Sequence, residues 1–228
     1  MQQQSFKLTG IQKKVAENLT KSKNKIPHGT TIREINMDNI LKSRSKMNKK
    51  RNNASNISIV TFIIKSVINA MNKYPIFNSI YDEKQKEVII KGKINIGIAT
   101  AMGQNLVVPV IKDIENLSLE EIDKKVKLLR ERAKTKKLGP NDFKEGSFTI
   151  SNSGALGGEM FIPIINYPEN ALLGFGKIQK KPIVEENEEI VVASMMYACL
   201  SYDHRVINGR EAVSFLGEIE DYCINFTI

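Results

Sequence analysis

The chain has 228 residues, 41% of them hydrophobic, and its 34 basic and 25 acidic side chains leave a formal charge of +9. No stretch approaches the ~20 consecutive apolar residues of a membrane span, so we expect no membrane-spanning segment. The two cysteines, Cys199 and Cys223, have neither Cys-x-x-Cys nor Cys/His spacing, so we expect no metal site. No linker divides the chain, and we expect one domain over residues 6–228 behind a linker remnant at 1–5.

The basic residues cluster at 42–51 and again at 124–137, and such a surplus attracts polyanions. No aromatic interleaving or RNP-like motif accompanies them, so nucleic acid is not the expected partner. A solvated helix face, a phosphate-bearing ligand or an acidic partner domain would explain the same charge. The first residues lack the apolar core of a signal peptide, so we expect a cytoplasmic protein, or a mitochondrial-matrix protein in a eukaryote.

Hydrophobic periodicity predicts helices and strands without strict alternation. Thr9 suits a helix N-cap, and Ser118 with Glu121 forms a capping box. In chain order we predict a helix at 10–25, a strand at 28–37, a helix from Asp38 through the basic run, a helix at 57–74, two strands around the turn 82–85, a hairpin of 95–100 and 106–110 around Gly103-Gln104-Asn105, a helix at 118–137, strands at 146–152, 171–178 and 189–202, and a helix at 209–222. The predicted class is α+β, a two-layer mixed β-sheet with helices on one face.

The segment 201–209 carries one of only two histidines, His204, at a predicted strand-to-helix junction. A histidine with a pKa of about 6.5 is mostly neutral at pH 7 and can accept a proton, as a general base must. Cys199 is an alternative nucleophile, but free cysteine is usually buried. The other histidine, His28, follows Ile26-Pro27 at a helix-to-strand turn without acidic or nucleophilic neighbours, so we interpret it as structural.

Asp203-His204-Arg205, followed by Asn208-Gly209, resembles the signature of the dihydrolipoamide acyltransferases, the core subunits of 2-oxo-acid dehydrogenase complexes. It resembles that of chloramphenicol acetyltransferase more loosely. Six further blocks are similar to the first family and stand in its order: 10–18, 26–28, 95–99, 106–112, 148–152 and 163–166. On this resemblance the chain is identified as the catalytic domain of such an acyltransferase, with a chloramphenicol acetyltransferase-like fold.

The resemblance implies transfer of an acyl group from dihydrolipoamide, carried on a separate lipoyl domain, to coenzyme A. It implies that His204 is the base for the coenzyme A thiol and that the Ser151 hydroxyl stabilises the oxyanion. Many relatives carry Asp where Asn208 stands; an amide hydrogen-bonds but supplies no anion, so we expect Asn208 to position the catalytic loop or the histidine. Asp203 and Arg205 are the expected supporting residues.

The resemblance also implies a homotrimer with active sites between subunits, and trimers assembled into a larger core. Its implied partners are the lipoyl domain, a 2-oxo-acid decarboxylase and dihydrolipoamide dehydrogenase. The sequence blocks lean towards branched-chain or acetyl substrates. The alternatives are a catalytically silent assembly protein, suggested by Asn208, a chloramphenicol-type O-acetyltransferase, and a nucleic-acid-binding module.

Overall fold

A computed structural model describes residues 3–50, 56–103 and 105–228, and one mixed β-sheet organises them. The helices are α1 (Gly10–Lys25), α2 (Asp38–Lys50), α3 (Ile59–Lys73), α4 (Leu119–Lys134) and α5 (Gly209–Asn225). The strands are β1 (His28–Asn36), β2 (Ser79–Asp82), β3 (Glu87–Ile90), β4 (Ile96–Ile98), β5 (Thr100–Met102), β6 (Asn105–Val107), β7 (Val110–Ile111), β8 (Phe148–Asn152), β9 (Ala171–Phe175), β10 (Gln179–Val184) and β11 (Ile190–Asp203).

The main sheet has the order β1-β11-β9-β8-β4-β7, and β10 pairs with the first half of β11. Strand β8 runs parallel to β4 and β9, whereas the other pairs are antiparallel. Two small ribbons, β2-β3 and β5-β6, lie outside this sheet. The predicted α+β class with a mixed sheet is therefore confirmed.

The helices α2, α3, α4 and α5 share one hydrophobic core with the facing side chains of the sheet. Strand residues such as Phe148, Ile150 and Leu200 point into it, and Phe215 of α5 stacks on Phe77 with ring centroids 3.9 Å apart. The prediction of helices on one face therefore holds for these four. Helix α1 lies elsewhere, because its one buried side chain, Ser22, donates to the Ile165 carbonyl at 2.6 Å.

The opposite face of the sheet is covered by the irregular segment 158–166. Because side chains alternate along a strand, Thr149 and Ser201 point to this face. Ser201 donates a hydrogen bond to the Pro163 carbonyl at 2.6 Å, and Lys177 donates to the Gly158 carbonyl at 2.8 Å. The segment is therefore held directly against the strands.

Both capping predictions are confirmed, since the Thr9 side chain accepts from the Gln12 amide and the Ser118 side chain accepts from that of Glu121. Asp38 begins α2 as its first residue, and the Asn36 side chain accepts from its amide. Helix α4 ends at Lys134, three residues before the predicted end.

The hairpin predicted from 95–100 and 106–110 is confirmed, because one antiparallel register runs through both of its halves: Gly97 pairs with Val110 in β4 and β7, and Thr100 pairs with Val107 in β5 and β6. Its base belongs to the main sheet, and only its tip, β5-β6, forms a separate ribbon. Pro109 lacks an amide donor and interrupts the second strand, while its carbonyl accepts from the Ile98 amide at 2.9 Å. The predicted turn residue Gln104 lies outside the described residues, as does Arg51 of the first basic cluster.

Strand β10 has no counterpart among the sequence predictions. Its sequence begins with three polar residues and includes Pro182, so it shows no alternation of apolar and polar side chains that would predict a strand. Its backbone pairs with β11 from Gln179 to Val184, and a proline is tolerated where one strand edge stays unpaired. No helix in the described ranges is long and apolar enough to cross a bilayer.

The contact between segment 158–166 and the sheet requires a glycine at position 176. A Cβ there would lie 1.7 Å from the Glu159 carbonyl oxygen, which belongs to the backbone. We expect Gly176→Ala to lower the free energy of unfolding by at least ~1–3 kcal/mol, the usual cost of overpacking. The matched control is Gly92→Ala, whose Cβ would meet no atom within 4 Å. Equal stability of both variants in chemical denaturation would contradict this packing.

Candidate active site

His204 follows β11 directly, in a tight turn that leads into α5. Its side chain is exposed, and its backbone amide donates to the Pro27 carbonyl at 3.0 Å. Pairing of β1 with β11 continues to the register partners His28 and Asp203, so the segment after α1 runs beside this turn. The predicted base is thus a solvent-accessible imidazole on a backbone held from two sides.

Asp203 and Arg205, the predicted supporting residues, bind each other across the turn. The Asp203 carboxylate, 1% exposed, accepts from the Arg205 amide at 3.0 Å, from Nε at 3.0 Å and from Nη2 at 2.6 Å. Burial of a carboxylate is costly unless it is paired, and these bonds supply the pairing. The hydrogen bond to Asp203 raises the pKa of Arg205, and the contacts between the two side chains shape the turn.

Asn208 is the N-cap of α5. Its side-chain oxygen accepts from the Glu211 amide at 3.0 Å, and the Glu211 carboxylate accepts from the Asn208 amide at 3.0 Å. This reciprocal capping box fixes the helix start four residues after His204. The geometry agrees with a positioning role for Asn208, and its direct part in catalysis stays a prediction.

Ser151 is the fourth of the five residues of β8, on the sheet face opposite the helices. It is half-buried, and its hydroxyl has no hydrogen-bond partner within the described residues. Asn152 and Ser153 follow, and a short turn through Gly157, with φ of +85°, carries the chain away. The hydroxyl is free to donate to a ligand.

The strand register places Ser151 and His204 towards opposite ends of the sheet. Ser151 pairs with Gly174, which pairs with Cys199, and Cys199 precedes His204 by five residues along β11. With about 3.3 Å per residue and about 4.8 Å between strands, the two Cα atoms lie about 19 Å apart. At this distance one chain does not bring both groups to one substrate.

The remaining candidate nucleophiles and bases are engaged or buried. His28 Nδ1 bonds to the Ile26 carbonyl at 2.8 Å, Nε2 accepts from the Ile165 amide at 3.2 Å, and burial lowers the pKa of His28. Burial also raises the pKa of the Cys199 thiol, and raises that of Cys223 to about 12. Neither thiol is a nucleophile here, and His28 fits its structural interpretation. The described residues contain no cluster of three His, Cys, Asp or Glu that could hold a metal.

A basic groove on α2 is the best candidate for holding a phosphate-bearing ligand. It is lined by Leu41, Arg44, Ser45, Asn48, Lys49 and Asn56. Arg44 donates through Nε to the Ile57 carbonyl at 2.6 Å, which leaves the rest of its guanidinium available. Helix α2 begins after the Asn36 end of β1 and packs on the helix side of the sheet, whereas Ser151 points to the opposite face.

Glu169 was not predicted as a special residue. It is fully buried, accepts from the Asn166 side chain at 2.9 Å, and its other oxygen has no partner in the described residues. Burial raises the pKa of Glu169 to about 7. Its sequence context of Pro168 and Asn170 indicates only a loop, so nothing in the local pattern marks this carboxyl.

Residues 1–227 match the family model described as 2-oxoacid dehydrogenases acyltransferase, catalytic domain. The chain belongs to this family. It is 42% identical, over 92% of its length, to the dihydrolipoyllysine-residue acetyltransferase component of the pyruvate dehydrogenase complex of Buchnera aphidicola subsp. Acyrthosiphon pisum, of which it covers 54%. It is 37% identical, over 97% of its length, to the succinyltransferase component of the 2-oxoglutarate dehydrogenase complex of Buchnera aphidicola subsp. Baizongia pistaciae, again covering 54%. The chain spans about half the length of these curated relatives.

Solved structures agree with this membership. Azotobacter vinelandii dihydrolipoamide acetyltransferase has a TM-score of 0.94 at 28% identity over 98% of this chain and 92% of that one. Its structure was studied for the role of a serine, a histidine and an asparagine in its catalytic mechanism. The cubic core of a pyruvate dehydrogenase multienzyme complex has a TM-score of 0.94 at 29% identity, with the same coverage. A chloramphenicol acetyltransferase, with a TM-score of 0.55 at 15% identity over 91% of this chain and 94% of that one, confirms the predicted fold alone.

The buried carboxyl of Glu169 makes the stability of this acyltransferase domain depend on pH. Its pKa of about 7 in the folded state lies above its ordinary value of 4.5, so the contribution of Glu169 to stability is fully present below pH 4.5 and is lost as pH rises towards 7. We expect Glu169→Gln to stabilise the domain at pH 8 by a few kcal/mol, at ~1.4 kcal/mol per pKa unit, and by little at pH 4.5. Chemical denaturation at both pH values measures this, with exposed Glu87→Gln as control. If the free energies of unfolding of wild type and Glu169→Gln differed by the same amount at both pH values, the raised pKa of Glu169 would be contradicted.

Proposed function

We propose that the chain is an acyltransferase that moves an acyl group from S-acyl-dihydrolipoamide to coenzyme A and forms the oligomeric core of a 2-oxo-acid dehydrogenase complex. The observation that carries this is the placing of an unbonded Ser151 hydroxyl and an exposed His204 at opposite ends of one sheet, in a member of this family. In the Azotobacter vinelandii enzyme the studied asparagine follows the histidine by four positions, as Asn208 follows His204 here.

The proposed reaction begins with the coenzyme A thiol beside His204 of one subunit. A thiol with a pKa of about 8.5 is mostly protonated at pH 7, so the imidazole takes its proton as the sulfur attacks the thioester carbonyl. The new carbon–sulfur bond leaves a negative charge on the carbonyl oxygen. The Ser151 hydroxyl of the neighbouring subunit donates to that oxygen, an interaction worth ~3 kcal/mol in the transition state.

Collapse of the tetrahedral intermediate breaks the bond to the dihydrolipoamide sulfur. The imidazolium returns its proton to this leaving thiolate, and His204 is neutral again for the next cycle. Asp203 and Arg205 contribute by holding the turn, and Asn208 by fixing it to α5. In this proposal the lipoyl group is carried on a separate domain.

The basic groove on α2 suits the phosphates of coenzyme A. Phosphate oxygens pair well with guanidinium and ammonium groups, and Arg44 and Lys49 supply both. We propose a homotrimer with shared sites, assembled into a larger core that recruits lipoyl domains, a 2-oxo-acid decarboxylase and dihydrolipoamide dehydrogenase. The likeness to the cubic core of a pyruvate dehydrogenase multienzyme complex supports this assembly.

We propose acetyl as the transferred group, because the 42% identical relative from Buchnera aphidicola is an acetyltransferase component. A branched-chain acyl group is the second candidate, on the strength of the sequence blocks at 95–112 and 176–178. Relatives that act as succinyltransferase components reach 37–38% identity, so identity alone separates the classes weakly.

Turnover with four acyl donors tests this proposal. Acetyl-, isobutyryl-, isovaleryl- and succinyl-dihydrolipoamide are offered with coenzyme A to the assembled chain, and kcat/KM is measured for each. We expect acetyl to be preferred by at least about tenfold over succinyl, about 1.4 kcal/mol in the transition state. A preference for a branched-chain donor would favour the second candidate, and no transfer from any donor would favour a silent assembly protein.

Sharing of the site between subunits is tested by mixing two inactive variants. His204→Ala removes the base and should lower turnover at least ~10²-fold without preventing assembly, and Ser151→Ala should lower kcat and kcat/KM together. When the two are co-expressed in equal amounts, about one site in four of a cyclic trimer receives an intact histidine and an intact serine. We expect about that fraction of wild-type turnover.

The control is a mixture prepared after separate assembly, in which subunits do not exchange. Mass spectrometry verifies that the co-expressed cores contain both variants. Recovery no greater than the sum of the two parents in such mixed cores would mean that both groups act within one chain, which would contradict sharing of the site between subunits.

A further inference from the structure

The turn between β2 and β3 places Glu83 between two cations near the catalytic turn. One carboxylate oxygen pairs with the Lys25 ammonium at the end of α1. The other, Oε1, is buried and has no hydrogen-bond partner in the described residues, and Arg205 Nη1 lies 3.8 Å from it. The Arg205 guanidinium also lies over the Tyr81 ring, 4.5 Å from its centroid. Glu83 therefore faces both Lys25 and Arg205.

Together with backbone segments, these contacts form a closed ring of residues that includes His204. From Lys25 the backbone continues through Ile26 to Pro27, whose carbonyl accepts from the His204 amide at 3.0 Å. Arg205, the residue after His204, lies beside the Glu83 carboxylate. Glu83 in turn pairs with Lys25, which completes the ring. Without the Glu83 carboxylate, this ring would be broken, and the Lys25 and Arg205 cations would face each other.

We propose that Glu83 is a positioning residue for His204, joining the end of α1 to Arg205 so that the catalytic turn keeps one orientation. This inference rests on the proposed role of His204 as the base. The Asp203–Arg205 pair shapes the turn internally, whereas Glu83 anchors that pair to a different part of the fold. A general base requires such an anchor, because misplacement by about 1 Å can cost up to ~10²-fold in rate.

The test compares Glu83→Gln with Glu87→Gln in the assembled core. Glu87 lies in the same ribbon, is exposed, and has no ion pair among the described residues. We expect Glu83→Gln to lower kcat about tenfold, with the KM of both substrates changed less than about twofold, because substrate contacts are kept. Glu87→Gln should match wild type in both parameters.

Hydrogen exchange of the peptide carrying residues 203–207 provides a readout that does not need turnover. We expect faster exchange in Glu83→Gln than in wild type or Glu87→Gln, since the amide of His204 loses its support. Lys25→Met breaks the same ring at a different contact. The kcat of the double variant with Glu83→Gln should therefore be no more than about twofold below that of Glu83→Gln alone.

Wild-type kcat and exchange in Glu83→Gln would overturn the proposal. An effect on KM alone would make Glu83 a binding residue, and a lower kcat with unchanged exchange would mean that Glu83 acts on the chemistry rather than on position; either result overturns it as well. If the unaltered chain transfers no acyl group, the proposed function fails, and the exchange comparison still decides whether Glu83 holds the turn.

Discussion

Strand β11 exchanges backbone hydrogen bonds with β1, β9 and β10 over its fourteen residues, and this pairing sets the distances on which the candidate site depends. Its register with β9 places Ser151 of β8 level with Cys199. Its last residue, Asp203, ends the strand at the turn that carries His204. A shift of one residue in this register would turn every side chain of β11 to the other face, so the buried core on the helix side keeps the pairing in place.

In the proposed reaction, the distance between Ser151 and His204 makes each subunit contribute to two different sites. At one end of the sheet, the Ser151 hydroxyl is suited to hold an oxyanion. At the other end, the His204 imidazole stands on a turn that contacts α1, α5 and the β2-β3 ribbon.

Local sequence patterns were sufficient for the features that local interactions determine. The caps at Thr9 and Ser118 depend on residues three positions apart, and the junction at His204 depends on an apolar run followed by helical spacing. The hairpin at 95–110 is another such feature, because its two strands are neighbours in the chain and pair in one register on both sides of Pro109. Strand β10, by contrast, forms because the backbone of β11 lies beside it. Its own polar residues do not predict a strand.

Neither the burial of Glu169 nor the position of Glu83 between two cations could be predicted from the sequence, and the reason is the same for both. Both depend on residues far away in the chain: Asn18 of α1 contacts Asn166 beside Glu169, and Lys25 and Arg205 contact Glu83. The roles proposed for Ser151 and His204 come from the family resemblance and not from local sequence patterns. Their separation became visible once strand order and register were known.

The burial of both cysteines has a consequence for the redox behaviour of this domain. A thiol exchanges with disulfides as its thiolate, and burial raises the pKa of both the Cys199 and the Cys223 thiol while keeping reagents away. In the proposed reaction every substrate is a thiol or a thioester, and lipoamide cycles through a disulfide. A surface thiolate would attack the lipoamide disulfide and form a mixed disulfide, releasing the second lipoamide sulfur as a thiolate. Because Cys199 and Cys223 are both buried, neither offers lipoamide a thiolate for this exchange.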